Sequence, residues 1–345
     1  MLPTSLPVPR VPELMASPPI RWGILAPGWI AAKFTATLHR NTRSRVVAVG
    51  SSSLERAQQF AATYGAERFG SYEQVVSDPD VDAVYVASPH SHHHTQAMLA
   101  LSAGKPVLVE KAFTQNAAQA IELVAAARAQ NLLLMEAMWT RFLPSTDIVR
   151  QLLADGALGD VRFVAADHGQ FFTIGPEHRL LNPNLAGGAL LDLGVYPISF
   201  ASFVLGAPDA ITARGDMTAT GVDGQVSAVL QTGAAHALVS ATQLAKTPTT
   251  ATISGALARI EIPGDFYQPQ PIALISRDGD ARTAERGPIV GHGGLVYQAA
   301  HFARLLTDGR TESPLLPLDE SVAIMQTMDE IRRQIGLVYP NEVVL

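Results

Sequence analysis

An apolar run that ends in two opposite charges, V-L-V-E-K-A at residues 107–112, is the first place where this chain could do chemistry. Lysine is scarce: Lys33, Lys105, Lys111 and Lys246 are all the chain contains, and arginine supplies every other strong positive charge. Burial or a neighbouring charge readily shifts a lysine's proton affinity, which makes Lys111 a candidate for proton transfer or charge stabilisation. A simple strand-end charge pair with Glu110 is the alternative. The second place is L-A-G-G-A-L-L-D-L-G-V-Y-P at 185–197. Gly187 and Gly188 permit close backbone approach, and a helix starting nearby puts Asp192 and Tyr196 at i and i+4 on one face. A tyrosine hydroxyl transfers a proton near neutrality only beside a cation. Four residues on stands Phe200 rather than a lysine, so Lys111, delivered by another domain, is the candidate cation. A core helix with a polar rim is the alternative.

Two further segments suit a dinucleotide. In G-I-L-A-P-G-W-I-A at 23–31 a strand turns into a helix, and such a turn must tighten, approach a pyrophosphate and offer helix N–H groups to the anion. Gly28 supplies the close approach, with Pro27, Trp29 and Ile30 around it. Ala31 replaces the third glycine of G-x-G-x-x-G, and Ala26 stands where the first is expected. An ordinary strand-to-helix turn is the alternative. The second strand ends in V-G-S-S-S-L-E-R, where an NAD site places a carboxylate on the ribose. Ser51, Ser52, Ser53 and Arg56 instead leave room for a 2′-phosphate, which favours NADP over NAD. Ser53 could equally cap the helix that follows.

A third segment, A-S-P-H-S-H-H-H-T at 87–95, puts His90, His92, His93 and His94 within five positions. Histidine is the commonest protein metal ligand. Ser91, however, is placed to cap a helix, and successive helical residues point about 100° apart. Three adjacent histidines on a helix cannot converge on one ion, and no metal site is assigned.

The elements that must carry these groups alternate. Apolar runs at 22–26, 46–50, 83–87, 107–109 and 132–135 are separated by helical spacing at 29–39, 54–64, 91–103 and 114–129. Strands that read as continuous apolar runs are buried on both faces, as in a parallel sheet covered by helices. An α/β, Rossmann-type doubly wound domain over 20–138 follows. Beyond it the pattern predicts a helix at 144–154, another near Asp192, strands at 162–171, 209–219, 225–232, 235–244, 249–262 and 272–277, and helices at 293–308 and 318–335. That is an α+β domain over 139–345 with a large, mostly antiparallel sheet, its last helix packing back on the first domain. Residues 1–19 hold six prolines and read as a flexible arm, or as an arm lying over a partner subunit.

Composition narrows the class. The chain has 345 residues, 47% of them hydrophobic and 16% charged, and a net charge of −6. With no Lys/Arg cluster, a nucleic-acid or anionic-membrane surface is not expected. No apolar run of about 18 residues stands out as a membrane span. The chain contains no cysteine, which excludes disulfides and thiolate metal sites and is compatible with a reducing cytoplasm.

Jointly these motifs resemble the Gfo/Idh/MocA oxidoreductase family over nearly the whole chain from Arg21. Glu110-Lys111-Ala112 looks like its E-K-P signature with alanine for proline. The segment from Gly187 to Tyr196 is similar to its G-G-x-x-x-D-x-G-x-[HY] signature in the tyrosine form. That form, with M-E-A-M-W-T-R-F at 135–142, is similar to the branch of dimeric dihydrodiol dehydrogenase and glucose–fructose oxidoreductase. The resemblance implies Lys111 and Tyr196 as the catalytic pair, Asp192 orienting substrate or cofactor, and Arg179 contacting the cofactor. It also implies that Ser88, Pro89, His90 and His93 match the family's S/T-P-[NH]-x-x-H loop beside the nicotinamide ribose.

The reaction expected is hydride transfer between a nicotinamide and a carbinol or carbonyl carbon of a sugar, keto-sugar or related polyol. Candidate sugar contacts are His168, Gln170, Phe172, His178 and Tyr297. A homodimer or homotetramer formed through the second domain's sheet is implied. Two other readings stay open: a non-catalytic dinucleotide sensor, and a lyase or glycoside-cleaving enzyme that keeps NAD tightly bound.

Overall fold

The computed structural model describes residues 3–340 and residue 342. The chain divides into two compact units, one made of residues 11–142 and 291–322 and the other of residues 1–10, 143–290 and 323–345. The boundary drawn on the sequence therefore shifts. The segment 291–322 returns to the first unit, and the larger part of the terminal helix belongs with the second.

The first unit alternates β1 (Arg21–Leu25), α1 (Trp29–Asn41), β2 (Arg45–Gly50), α2 (Leu54–Tyr64), β3 (Arg68–Gly70), α3 (Tyr72–Val76), β4 (Ala83–Val86), α4 (His90–Ser102), β5 (Val107–Glu110), α5 (Ala117–Ala129) and β6 (Leu134–Ala137). Its six strands are parallel, in the order β3-β2-β1-β4-β5-β6. β4, β5 and β6 are buried at every residue; β4 is wholly apolar, while β5 ends in Glu110 and β6 carries Glu136. The strand order reverses between β1 and β4, and ligands of such sheets bind at that switch point, beyond the carboxyl ends of the strands. The turns after β1, β4 and β5, which carry Gly28, Ser88 and Lys111, all leave those ends. β3 and α3 were not anticipated, since three and five residues are too short for a periodicity to register.

In the second unit α6 (Pro144–Ala154) leads into β7 (Val161–Gly169). A π-turn over Leu190–Gly194 runs into α7 (Val195–Leu205), and β8 (Ala210–Met217), β9 (Asp223–Thr232), β10 (Ala235–Thr242), β11 (Ala251–Gly255), β12 (Ala258–Ile262), β13 (Ile272–Ser276) and β14 (Ala281–Ala284) follow. They form one eight-stranded sheet in the order β14-β13-β12-β11-β7-β10-β9-β8. Every pairing is antiparallel except β7 with β10. β9 and β10 alternate buried and exposed residues, the period of a sheet with one face on the core. The expected single strand at 249–262 is a hairpin, broken at Gly255, where a Cβ would lie 2.2 Å from the Leu158 carbonyl oxygen. Segment 183–205 is long and apolar enough by composition to cross a membrane, but 78% of its most apolar 18 residues are buried, and the segment lies in the core of this unit.

Two helices close the chain: α8 (Leu295–Thr307) in the first unit, packed on α1, and α9 (Leu318–Ile335), whose first turn counts with the first unit and whose remainder counts with the second. The proline-rich arm makes specific contacts with the rest of the chain. Arg10 donates its backbone N–H to Asp147 (2.7 Å), and Gln151 donates to the Val8 carbonyl oxygen (2.9 Å). Ser17 is buried.

Candidate active site

The turn after β1 leaves a helix start open. Gly28 is the N-cap of α1, no side chain caps the helix, and no acidic residue stands in its first turn. A Cβ on Gly28 would meet nothing within 4 Å, so the space before the first N–H groups is open. Free helix N–H groups with the positive end of the helix dipole suit a pyrophosphate. Ala26 adopts the left-handed region (φ 66°) that the missing glycine would occupy without strain. An L-residue there costs roughly 1–2 kcal/mol, partly offset in a glycine by greater freedom of the unfolded chain. Ala26→Gly is therefore expected to raise the unfolding free energy by about 0.5–1 kcal/mol. Urea denaturation checks this, and a lower midpoint in the variant would count against the strain. Trp29 is exposed, and its ring lies 4.8 Å from His292 and 5.7 Å from the Lys33 ammonium.

After β2, Ser53 caps α2 by accepting the Arg56 N–H (3.3 Å), and the buried Ser51 hydroxyl accepts the Ser53 N–H (3.1 Å). The exposed pair is Ser52 and Arg56, with the guanidinium donating to the Ser52 hydroxyl at 3.2 Å. A hydroxyl and a guanidinium side by side at this place fit a 2′-phosphate.

The histidine-rich segment resolves into separate roles. α4 starts at His90, with Pro89 as its N-cap, so Ser91 lies inside the helix and does not cap it. The Ser91 hydroxyl lies 2.9 Å from His92 Nδ1 instead. His93 is fully buried between the carbonyl oxygens of Ser88 (Nε2, 2.9 Å) and Ala112 (Nδ1, 2.8 Å). His94 pairs with Glu122 at 3.1 Å. Through His93, the loop after β4 is joined to the turn carrying Lys111.

That turn is held from three sides. Buried Glu110 accepts the Tyr85 hydroxyl and the Lys111 N–H (3.2 Å). The Lys111–Ala112 peptide is cis. The Phe113 N–H donates to the carboxylate of Glu136, at the end of β6, which also accepts the Ser321 hydroxyl at 2.7 Å. Burial pushes Glu136 up to about 7, against the opposing pull of Ser321 and the Arg141 guanidinium. Arg141, itself buried, pairs with Glu320. Sequence reading gave Glu136 and Arg141 no role; two charges inside an apolar M-E-A-M-W-T-R-F stretch were the available signal.

The second unit assembles its own cluster. Asp192 lies in the π-turn, where Val195 N–H reaches back to the Leu190 carbonyl oxygen, so Asp192 and Tyr196 are not two points on a regular α-helical face. Both are buried, and Arg179 Nη1 stands 3.1 Å from Asp192 Oδ1. His168, from the end of β7, lies 5.2 Å from the Tyr196 ring and stacks on Tyr267 at 4.4 Å. Tyr267 is 4.9 Å from Tyr196. Gln170 reaches the His168 ring (3.0 Å) and the Tyr267 hydroxyl (3.5 Å). Burial raises the Tyr267 hydroxyl, with Asp265 and Asp192 adding to the effect, so it stays protonated.

Of the sugar-contact candidates, His168 and Gln170 thus join Tyr196. Phe172 and His178 lie in the largely exposed stretch 171–179, where His178 accepts the Leu180 N–H. Tyr297 belongs to α8 in the first unit, its hydroxyl raised by burial. Tyr267 was missed, since D-F-Y-Q-P-Q carries no periodicity or motif that marks it.

Residues 20–138 match the oxidoreductase family GFO/IDH/MocA with its NAD-binding Rossmann fold, and residues 147–261 match the GFO/IDH/MocA C-terminal domain. The chain is similar to the D-xylose 1-dehydrogenase (NADP(+)) of Hypocrea jecorina, 39% identical and covering 93% of each chain. It is 37% identical to the trans-1,2-dihydrobenzene-1,2-diol dehydrogenase of Macaca fascicularis, covering 94% of this chain and 99% of that one. Among solved structures it is similar to a 3-ketoreductase from Actinomadura kijaniata in complex with NADP and TDP-benzene. That match has 28% identity and a TM-score of 0.81, covering 92% of this chain and 98% of the other. A parallel dinucleotide sheet, a second, mostly antiparallel sheet and these relatives agree: the chain is an oxidoreductase of the GFO/IDH/MocA family.

Proposed function

We propose that the protein is an NADP-linked dehydrogenase that moves a hydride between the nicotinamide and a carbinol or carbonyl carbon of a sugar or related polyol. Lys111 and Tyr196 are its catalytic pair. The observation that carries this reading is the cluster in which Tyr196, Asp192 and Arg179 gather beside His168 and Tyr267. The names of relatives acting on D-xylose and on a cyclic diol support the substrate class.

When bound, the nicotinamide supplies the redox step. In the reductive direction Tyr196 delivers a proton to the developing alkoxide, and in the oxidative direction it accepts that proton. Lys111 stabilises the negative charge on the oxygen, an interaction strengthened where water is excluded. Asp192, held by Arg179, orients the substrate hydroxyl, while His168 and Gln170 present polar edges for neighbouring hydroxyls. The first helical turn after Gly28 would hold the pyrophosphate, and the loop from Ser88 to His93 would contact the nicotinamide ribose.

Ser52 and Arg56 set the preference for NADP. Charge-assisted bonds to a phosphate are worth about 1.5–3 kcal/mol, so Arg56→Ala is expected to weaken NADP binding by about 10- to 100-fold and leave NAD binding nearly unchanged. Titration of both cofactors against wild type and variant checks this, and an equal loss for both would move the 2′-phosphate site elsewhere. Appearance of reduced nicotinamide across a panel of pentoses, hexoses and cyclic diols tests the activity itself. A non-catalytic sensor would bind NADP and turn over none of them, and a lyase with resident NAD would consume substrate without net reduction.

A further inference from the structure

The helix that carries Asp192 and Tyr196 begins at a buried carboxylate that no part of the reaction uses. Asp223, the first residue of β9, is fully buried, and its Oδ2 accepts the Leu190 N–H at 2.6 Å. The Ala189 N–H also donates to it. A carboxylate on the unsatisfied N–H groups of a helix start fixes where that helix begins, by hydrogen bonds and by the helix dipole.

Close backbone approach explains the Gly187–Gly188 pair, and for Gly188 the neighbour is Asp223. Gly188 has φ +120°, and a Cβ there would sit 2.0 Å from Asp223 Oδ1. A Cβ on Gly187 would sit 2.5 Å from the Arg179 carbonyl oxygen. Side chains at either position would push the carboxylate or the Arg179 segment away.

The turn after α9 completes the hold. Buried Tyr339 donates its hydroxyl to the Gly187 carbonyl oxygen at 2.7 Å. The Arg332 guanidinium lies 4.7 Å over the Tyr339 ring, pairs with Glu342 and Asp329, and attracts the Asp223 carboxylate. Asp223 and Tyr339 are far from residues 187–190 in sequence, yet both converge on this short stretch where the π-turn begins. Such turns recur at functional sites, where they re-aim side chains.

We propose that Asp223 is a positioning residue for Tyr196, acting through the helix start that it caps, with Tyr339 as the second jaw of the same clamp. The inference rests on the reading that Tyr196 is the proton donor. Displacing a reacting group by about 1 Å costs on the order of 100-fold in rate. Asp223→Ala is therefore expected to lower kcat by on the order of 100-fold while NADP affinity holds. The solvent deuterium isotope effect on kcat is expected to rise as proton transfer becomes limiting. Asp223→Asn, whose amide oxygen still accepts one N–H, is expected to recover much of the loss.

Tyr339→Phe keeps the packed ring and removes only the hydroxyl, so it reports on the clamp even if Asp223→Ala does not fold. Its expected loss is about 10-fold in kcat, with the same rise in isotope effect. Added to Tyr196→Phe, the Tyr339→Phe change is expected to alter the residual rate by less than about 2-fold, because its effect runs through the missing hydroxyl. Wild-type kcat and isotope effect in Tyr339→Phe and in every folded Asp223 variant, or an equal Tyr339→Phe loss in both backgrounds, would overturn the inference. Tyr196→Phe alone separates the two claims. Full turnover there sinks the functional reading, whereas loss there beside unaffected Asp223 and Tyr339 variants sinks only this one.

Discussion

Tyr196→Phe is expected to lower turnover by about 10²- to 10⁴-fold, the range that a positioned general acid contributes. Lys111→Ala is expected to lose about 10²- to 10³-fold, the range for removing one electrostatic stabiliser of a developing oxyanion. Neither change touches the turn at Gly28 or the Ser52–Arg56 pair. NADP affinity, followed by quenching of protein fluorescence, is expected to stay within a few-fold of wild type for both. Loss of binding in step with loss of rate would assign Lys111 to holding cofactor instead. Because the two side chains are proposed to act on one proton, the double variant should be only marginally slower than the worse single one.

The second large effect concerns stability. Arg141 is buried, paired with Glu320, and the cation nearest in influence to the buried Glu136 carboxylate. Removing one partner of a buried ionic group leaves the rest uncompensated and costs about 3–5 kcal/mol. Arg141→Met, which keeps the apolar stem, is expected to lose about that much in denaturant unfolding. A loss under about 1 kcal/mol would mean that water reaches the cluster.

Glu136 itself carries a pH signature of defined sign. Its folded value, about 7, stands above the ordinary 4.5. The folded chain therefore keeps a proton that the unfolded chain releases between those values. The corresponding stability is full below about pH 4.5 and is lost as pH rises through about 7, an effect of about 3 kcal/mol. In Glu136→Gln this component disappears. The difference in unfolding free energy, variant minus wild type, is expected to grow in favour of the variant from about pH 5 to about pH 8. A flat difference would place the carboxylate's proton affinity near its ordinary value.

What could be read in the chain, and what could not, follows from the range of the forces involved. β1, β2, β4 and β5 declare themselves because burial on both faces demands an unbroken apolar run. β14 does not, since Ala281–Ala284 has no apolar alternation and owes its state to pairing with β13. α4 starts one residue before the helical spacing at 91–103, because Pro89, not a hydroxyl side chain, stands at its cap. The π-turn at Leu190–Gly194 is invisible in spacing alone, since one extra residue in a turn shifts no composition. Lys111, Asp192 and Tyr196 can be singled out as candidates because each sits in a short local pattern. Tyr267, Asp223, Tyr339 and Glu136 are not, because topology alone brings each beside a motif residue or its supporting turn. Ala26 shows the reverse case: a departure from the glycine pattern that the backbone absorbs at φ 66°.

The most direct test of the functional claim follows the hydride itself. Enzyme is mixed with NADPH deuterated at nicotinamide C4, on the transferred face, and with the keto form of whichever panel sugar supports turnover, and the product alcohol is analysed by mass spectrometry. One deuterium on the newly formed carbinol carbon, at a rate lost in Tyr196→Phe, is the predicted result. Product formed without deuterium, or formed equally fast without Tyr196, would contradict it.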